Sequence, residues 1–116
     1  MDTMGTPPTP QLNVVEAVAK LGEGALLLDV REINEWNAGH APEAVHVPLG
    51  ELESHIGRLD QAREIVVICR SGRRSDDAAS ALRSIGFDAY NFAGGMQAWQ
   101  RAGRDVLTPS EDPGWH

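Results

Sequence analysis

The chain predicts an α/β fold: one domain with a mostly parallel central sheet of about five strands and helices on both faces. Two observations carry this. Short apolar runs at residues 25–30 and 65–68 are continuous rather than alternating, as in strands covered on both faces. Between such runs lie stretches whose apolar residues recur at helical spacing, and strand–helix alternation of that kind builds parallel sheets.

Residues 1–10, rich in Thr, Pro and Gly, read as a flexible leader. Asn13 can cap a helix whose third residue is Glu16, the spacing of a capping box, and Gly22 marks its end. Residues 25–30 form a strand, and residues 32–38 a short helix with Ile33 and Trp36 on one side, closed by Gly39. A brief strand at 44–47 ends at Pro48, after which Leu49, Leu52, Ile56 and Leu59 repeat at helical spacing. The strand at 64–68 delivers Cys69. Residues 75–85 form the helix behind it, with Ala78, Ala81, Leu82 and Ile85 as its buried stripe and Gly86 as its end. A strand at 89–92 and a helix at 95–102, stopped by Gly103, complete a domain over 11–107. Residues 108–116, with Pro109, Pro113, Gly114 and Trp115, read as a flexible tail.

At 116 residues the chain can bury a core without disulfides or metals. Its single cysteine allows no internal disulfide and no resolving thiol, so nothing points to an oxidising compartment. A net charge of -7 argues against nucleic acid or an anionic membrane as partner. Nine of the ten basic residues are Arg, and three of these crowd the segment after Cys69. Positive charge that local suits a small anion. No apolar run approaches membrane-spanning length, and the N-terminus lacks the basic-then-apolar order of a signal peptide. A cytoplasmic monomer is the expectation. His40, His46 and His55 lack metal-ligand spacing, so neither a metal nor a cofactor is expected.

Cys69 is the candidate nucleophile. It stands at the end of an apolar strand, opens the loop Cys69-Arg70-Ser71-Gly72-Arg73-Arg74-Ser75, and is followed at once by a helix. Backbone N–H groups and a helix N-terminus facing the sulfur both favour negative charge. Since the thiolate is the reactive form, this placement lowers the pKa and activates the residue. The alternative is a core cysteine acting as a small hydrophobe, and the three adjacent arginines argue against such burial. Asp29 and Arg31 read as an ion pair supporting the loop, because no second carboxylate is spaced to make an acid–base dyad with Asp29. His40 is expected to satisfy backbone groups near a turn, and Trp36 and Trp99 to belong to the core.

Three segments together resemble the single-domain rhodanese family of sulfurtransferases. The first is Leu28-Asp29-Val30-Arg31-Glu32, continuing through Glu35-Trp36 and Gly39-His40 to Val47-Pro48. The second is the Cys69 loop, and the third is Gly94-Gly95-Met96-Gln97-Ala98-Trp99. They stand in the family's order across residues 12–107. The resemblance implies a cysteine thiolate that takes the outer sulfur of a small anionic donor such as thiosulfate and becomes a persulfide. An acceptor, a thiol or, in assay, cyanide, then removes that sulfur; a protein acceptor is also open. It implies substrate binding by Arg70, Ser71, Gly72, Arg73, Arg74 and Ser75, with Arg74 as the loop-closing arginine. The chain departs from the pattern at Arg73, where many relatives have a small polar residue, and in the Asp76-Asp77 pair that follows the loop. It also departs at Ala41 and Glu43, which replace the usual Ile and Gly.

Two other functions compete. A cysteine phosphatase or arsenate reductase also uses a thiolate in an anion-binding loop, but its signature has five residues between cysteine and arginine. Here four separate Cys69 from Arg74, and the next position is Ser75, which has no guanidinium fork for phosphate. A non-catalytic binding module of the same family is the other; inactive relatives usually lose the cysteine, which this chain keeps.

Overall fold

Asn13 starts the first helix as its spacing predicts: Asn13 Oδ1 accepts from the Glu16 N–H at 2.8 Å, and Glu16 Oε1 accepts from the Asn13 N–H at 2.9 Å. These bonds satisfy two of the orphan donors of the helix N-terminus. The computed structural model describes residues 8–110, so the expectations for residues 1–7 and 111–116, Trp115 included, lie outside the described residues. The elements in order are β1 (Gln11–Leu12), α1 (Val14–Gly22), β2 (Leu26–Asp29), α2 (Ile33–Ala38), β3 (Val45–His46), α3 (Leu52–His55), β4 (Ile65–Ile68), α4 (Arg73–Ser84), β5 (Ala89–Phe92) and α5 (Gly95–Arg101).

The five strands form one sheet in the order β1-β5-β4-β2-β3, and every neighbouring pair is parallel. β4 is its centre and is buried along its whole length. The pleat sends alternate residues to opposite faces. Leu27, Val66, Ile68 and Phe92 join Ala17 of α1, Trp36 of α2 and Met96 and Trp99 of α5 in one core. Leu28, Ile65, Val67, Cys69 and Ala89 join Leu52 of α3 and Ala78, Ala79 and Leu82 of α4 in the other. The sheet thus has helices on both faces, and all its strands point their carboxyl ends one way. The fold class is the one the alternation of runs predicts.

Details differ from the sequence reading. β1 was not expected; Leu12 fills one core while Gln11 pairs in register with Asn91. Ile33 is 57 % exposed although Trp36, three residues on, is buried. In α4 the buried stripe is Ser75, Ala78, Ala79 and Leu82, whereas Ala81 is exposed and Ile85 is 47 % exposed. The helix begins at Arg73, two residues early, and Ile85 lies at its C-cap, where the helical register is already lost. The stretch at 49–59 is not one helix: α3 has 3-10 turns at Leu49–Glu51 and Ile56–Arg58 on either side, with Gly50 and Gly57 inside those turns.

Candidate active site

The central strand ends at Ile68, so Cys69 opens the loop at the carboxyl end of the sheet, where ligand sites of open parallel sheets lie. Two elements fix the loop. On one side α5 begins directly against it: the Met96 N–H donates to the Cys69 carbonyl at 2.8 Å and the Gln97 N–H to the Arg70 carbonyl at 3.0 Å. Gly95 makes that approach possible, because a Cβ there would lie 2.4 Å from the Cys69 carbonyl oxygen and 2.6 Å from that of Arg70. The second of the paired glycines in the third segment therefore has a physical reason. On the other side the loop turns into α4 at Gly72, whose φ of 105° is left-handed and suits glycine.

Cys69 is 1 % exposed, so the accessible thiol inferred from its arginine neighbours is corrected. The sulfur points beneath the loop toward α4, while Arg70 and Arg73 extend into solvent on long side chains. Burial alone pushes the thiol pKa up. The Ser75 hydroxyl and the N–H groups of Ser75, Gly72 and Ser71 pull it down and prevail, leaving the group below the usual thiol range. The Gly72 N–H donates to Sγ at 3.1 Å and the Ser75 hydroxyl lies 3.3 Å from it.

Arg74 reaches away to α2, where Nη1 and Nη2 meet the two Glu35 carboxylate oxygens at 2.7 and 2.8 Å. That bidentate pair holds the Glu35 carboxyl at about 2, well below the ordinary carboxylate range, and raises the Arg74 pKa. At the neighbouring end of β2, Asp29 is fully buried and accepts from the Arg31 N–H, Nε and Nη2 at 2.8–3.1 Å. Arg31 Nη2 also donates to the Gly39 carbonyl at 2.8 Å, and the Arg31 carbonyl accepts from His46 Nε2 at 2.7 Å. Asp29 and Ile68 are register partners, so this ion pair stands beside the strand end that carries Cys69. His40 is buried, stacks on Trp36 at 3.6 Å between ring centroids, and exchanges backbone hydrogen bonds with Leu107. A groove of about 390 Å³ opens beside the loop, lined by Arg31, Glu35, Arg70, Met96, Gln97 and Gln100 among others.

A family model for the rhodanese-like domain matches residues 13–102. The chain belongs to the rhodanese-like family. Among curated relatives, "Putative sulfur carrier protein YrkF" of Bacillus subtilis (strain 168) is 45 % identical over 78 residues, which cover 66 % of this chain and 42 % of that protein. The thiosulfate sulfurtransferase GlpE of Pseudomonas savastanoi pv. phaseolicola is 34 % identical over 86 residues, covering 73 % of this chain and 81 % of the relative. A crystal structure of a rhodanese-related protein from Thermoplasma volcanium superposes with a TM-score of 0.79 at 28 % identity, covering 84 % of this chain and 97 % of that one. The chain spans less than half of YrkF and most of GlpE. This rhodanese-like domain thus has sulfurtransferases and a sulfur carrier among its homologues. Among the described residues no helix is long and apolar enough to cross a membrane.

The loop residues and the Asp29–Arg31 pair assemble at one end of the sheet. Sequence reasoning missed Asn91 of β5, which donates to the Gly72 carbonyl of the loop, and Gln11 of β1, which accepts from Asn91. An asparagine in a strand run carries no local signature of such a task. Its in-register partnership with Gln11 would have been the signal, and that needs β1.

Proposed function

We propose that this protein is a sulfurtransferase that carries a sulfane sulfur on Cys69. The observation behind this is the cradle around the sulfur: a buried Sγ with the Gly72 N–H directed at it and the Ser75 hydroxyl 3.3 Å away, in a loop only four residues long between Cys69 and Arg74. So small a ring of donors suits one sulfur anion. The Arg74 guanidinium, which a phosphate cradle would require, is taken up by Glu35. The relatives' names support the same class of chemistry.

In the first step the Cys69 thiolate attacks the outer sulfur of thiosulfate or another persulfide-type donor. The donor's S–S bond breaks, its electron pair leaves with sulfite or the donor's thiolate, and Cys69 becomes a persulfide anion. In the second step cyanide or a thiol takes the terminal sulfur, and the Cys69 thiolate returns with the electron pair. Ser71, Gly72, Arg73, Arg74 and Ser75 hold the anion through N–H groups and hydroxyls, and Arg70 and Arg73 attract the donor. Asp29 and Arg31 keep the loop's base rigid. The unit that works is the monomeric domain over residues 11–107, in the reducing cytoplasm.

Mass spectrometry of the intact protein tests this. Thiosulfate should add one sulfur atom, cyanide should remove it, and Cys69→Ser should do neither. Turnover of an aryl phosphate by the native protein, with no sulfur gained on Cys69, would overturn the proposal.

A further inference from the structure

Beside Cys69 stands a hydroxyl with one proton and two acceptors. Ser75 is fully buried in the first turn of α4, with Oγ 2.6 Å from Asn91 Oδ1 and 3.3 Å from Cys69 Sγ. A serine hydroxyl can donate to only one of them at a time. The shorter contact gives the proton to Asn91 while the sulfur is a neutral thiol, whose S–H then donates to Ser75 Oγ.

Asn91 is 3 % exposed and its amide cannot turn over. Nδ2 spends both hydrogens, one on the Gly72 carbonyl at 3.0 Å and one on Gln11 Oε1 at 2.7 Å. Gln11 is fixed in turn, since its Nε2 donates to Asp76 Oδ1 at 2.7 Å and to the Thr9 carbonyl at 3.1 Å. A carboxylate and two carbonyls can only accept, so every amide in the row is held with its oxygen toward Cys69. Reversing Asn91 would set its oxygen against two others, Gln11 Oε1 and the Gly72 carbonyl, with no hydrogen between them.

We propose that Asn91 is a positioning residue that competes with the Cys69 sulfur for the single Ser75 proton. On ionisation the hydroxyl swings from Asn91 to the sulfur, and the bond given up opposes the thiolate. Asn91 thereby keeps the sulfur more basic than the loop alone would leave it. Nucleophilicity of a thiolate rises with its basicity, whereas its departure improves as basicity falls. If Cys69 carries sulfur as proposed above, Asn91 balances the attack on the donor against the release to the acceptor. The charged groups around the pair are Arg74 of α4, paired with Glu35 of α2, the pair of Asp29 at the end of β2 and Arg31 just beyond it, and Asp76 at the far end of the row. β5 and β1 contribute the amides of Asn91 and Gln11.

The thiolate midpoint, read from the pH dependence of iodoacetamide alkylation, tests the competition without any sulfur donor. Asn91→Leu should lower it by roughly half a pH unit to one, the scale of one net hydrogen bond. Ser75→Ala should raise it, and Asn91→Leu added to Ser75→Ala should move it no further. A midpoint that rises in Asn91→Leu, or shifts equally with and without Ser75, would overturn the proposal. The unmutated protein gives a second readout should Asn91→Leu fold poorly. The Asn91 side-chain carbonyl carbon should shift in NMR with the Cys69 midpoint and stay still in Cys69→Ser; a flat titration in the native protein sinks the idea. A failed persulfide experiment would leave these midpoints as they are, so the two readings fail separately.

Discussion

At the level of single residues, burial and activation of Cys69 come from one arrangement. The sulfur is desolvated, which by itself favours the neutral thiol, and the hydroxyl and N–H groups that exclude the water supply the donors that favour the anion. Arg70 and Arg73 stand exposed on the loop that carries this thiol, and in the sulfurtransferase proposed above they attract the donor. Exposed charges act on encounter and ground-state binding. Arg70→Ala and Arg73→Ala should each raise the KM for thiosulfate about fivefold, the factor equivalent to the roughly 1 kcal/mol of one close charge pair in water, with kcat largely unchanged. Steady-state kinetics check this, and added salt should produce the same rise in the native protein by screening. A fall confined to kcat would place the arginine at the transition state instead.

Elements carry a second kind of test, because one turn is built with an unsuitable residue. The Ala44 N–H donates back to the Ala41 carbonyl at 3.3 Å across Pro42 and Glu43, and Glu43 has a φ of 64°. Proline followed by a left-handed residue is the pattern of a type II turn, whose third position favours glycine. The resemblance had already marked Glu43 as standing where relatives carry Gly. Glu43 is exposed, so Glu43→Gly loses little contact; relief of strain less the added chain entropy should stabilise the fold by about 0.5–1 kcal/mol. Thermal unfolding should show a melting point a few degrees higher, and a lower one would mean the turn is not strained. The same element scale decides what was legible in the sequence. The Asn13–Glu16 box, the continuous run of β4 and the order strand, loop, helix around Cys69 are local patterns, and each is present in the structure. β1 is two residues long and owes its place to β5, so no periodicity reveals it. The buried stripe of α4 depends on where the helix starts, and Gly72 starts it two residues before the apolar pattern does. The burial of Cys69 and the Asn91 row depend on contacts across the sheet, which a linear reading of charge could not supply.

On the scale of the whole molecule, the sheet separates two cores, and one ion pair joins their helices across its carboxyl end. Glu35 belongs to α2, whose Trp36 lies in the core shared with α1 and α5; Arg74 belongs to α4, which packs on the opposite face. This clasp spans the edge from which the Cys69 loop rises, so it ties both layers to the site. Its pH dependence has a definite sign. The folded carboxyl of Glu35 is held at about 2, below the ordinary glutamate value of roughly 4.3 for an unfolded chain. The stabilisation is therefore complete above the unfolded value and is lost as the pH falls through the folded one. Both partners are part-exposed, with side chains 35 % and 24 % accessible, so solvent screening limits the clasp to about 1 kcal/mol. Glu35→Gln should cost that much in urea unfolding at pH 7, and the gap from the native protein should narrow steadily below about pH 4.3. The freed Arg74 charge should at the same time lower the Cys69 alkylation midpoint, because the two groups interact electrostatically. A penalty that stays constant down to pH 3 would show that Glu35 contributes by packing and not by its charge.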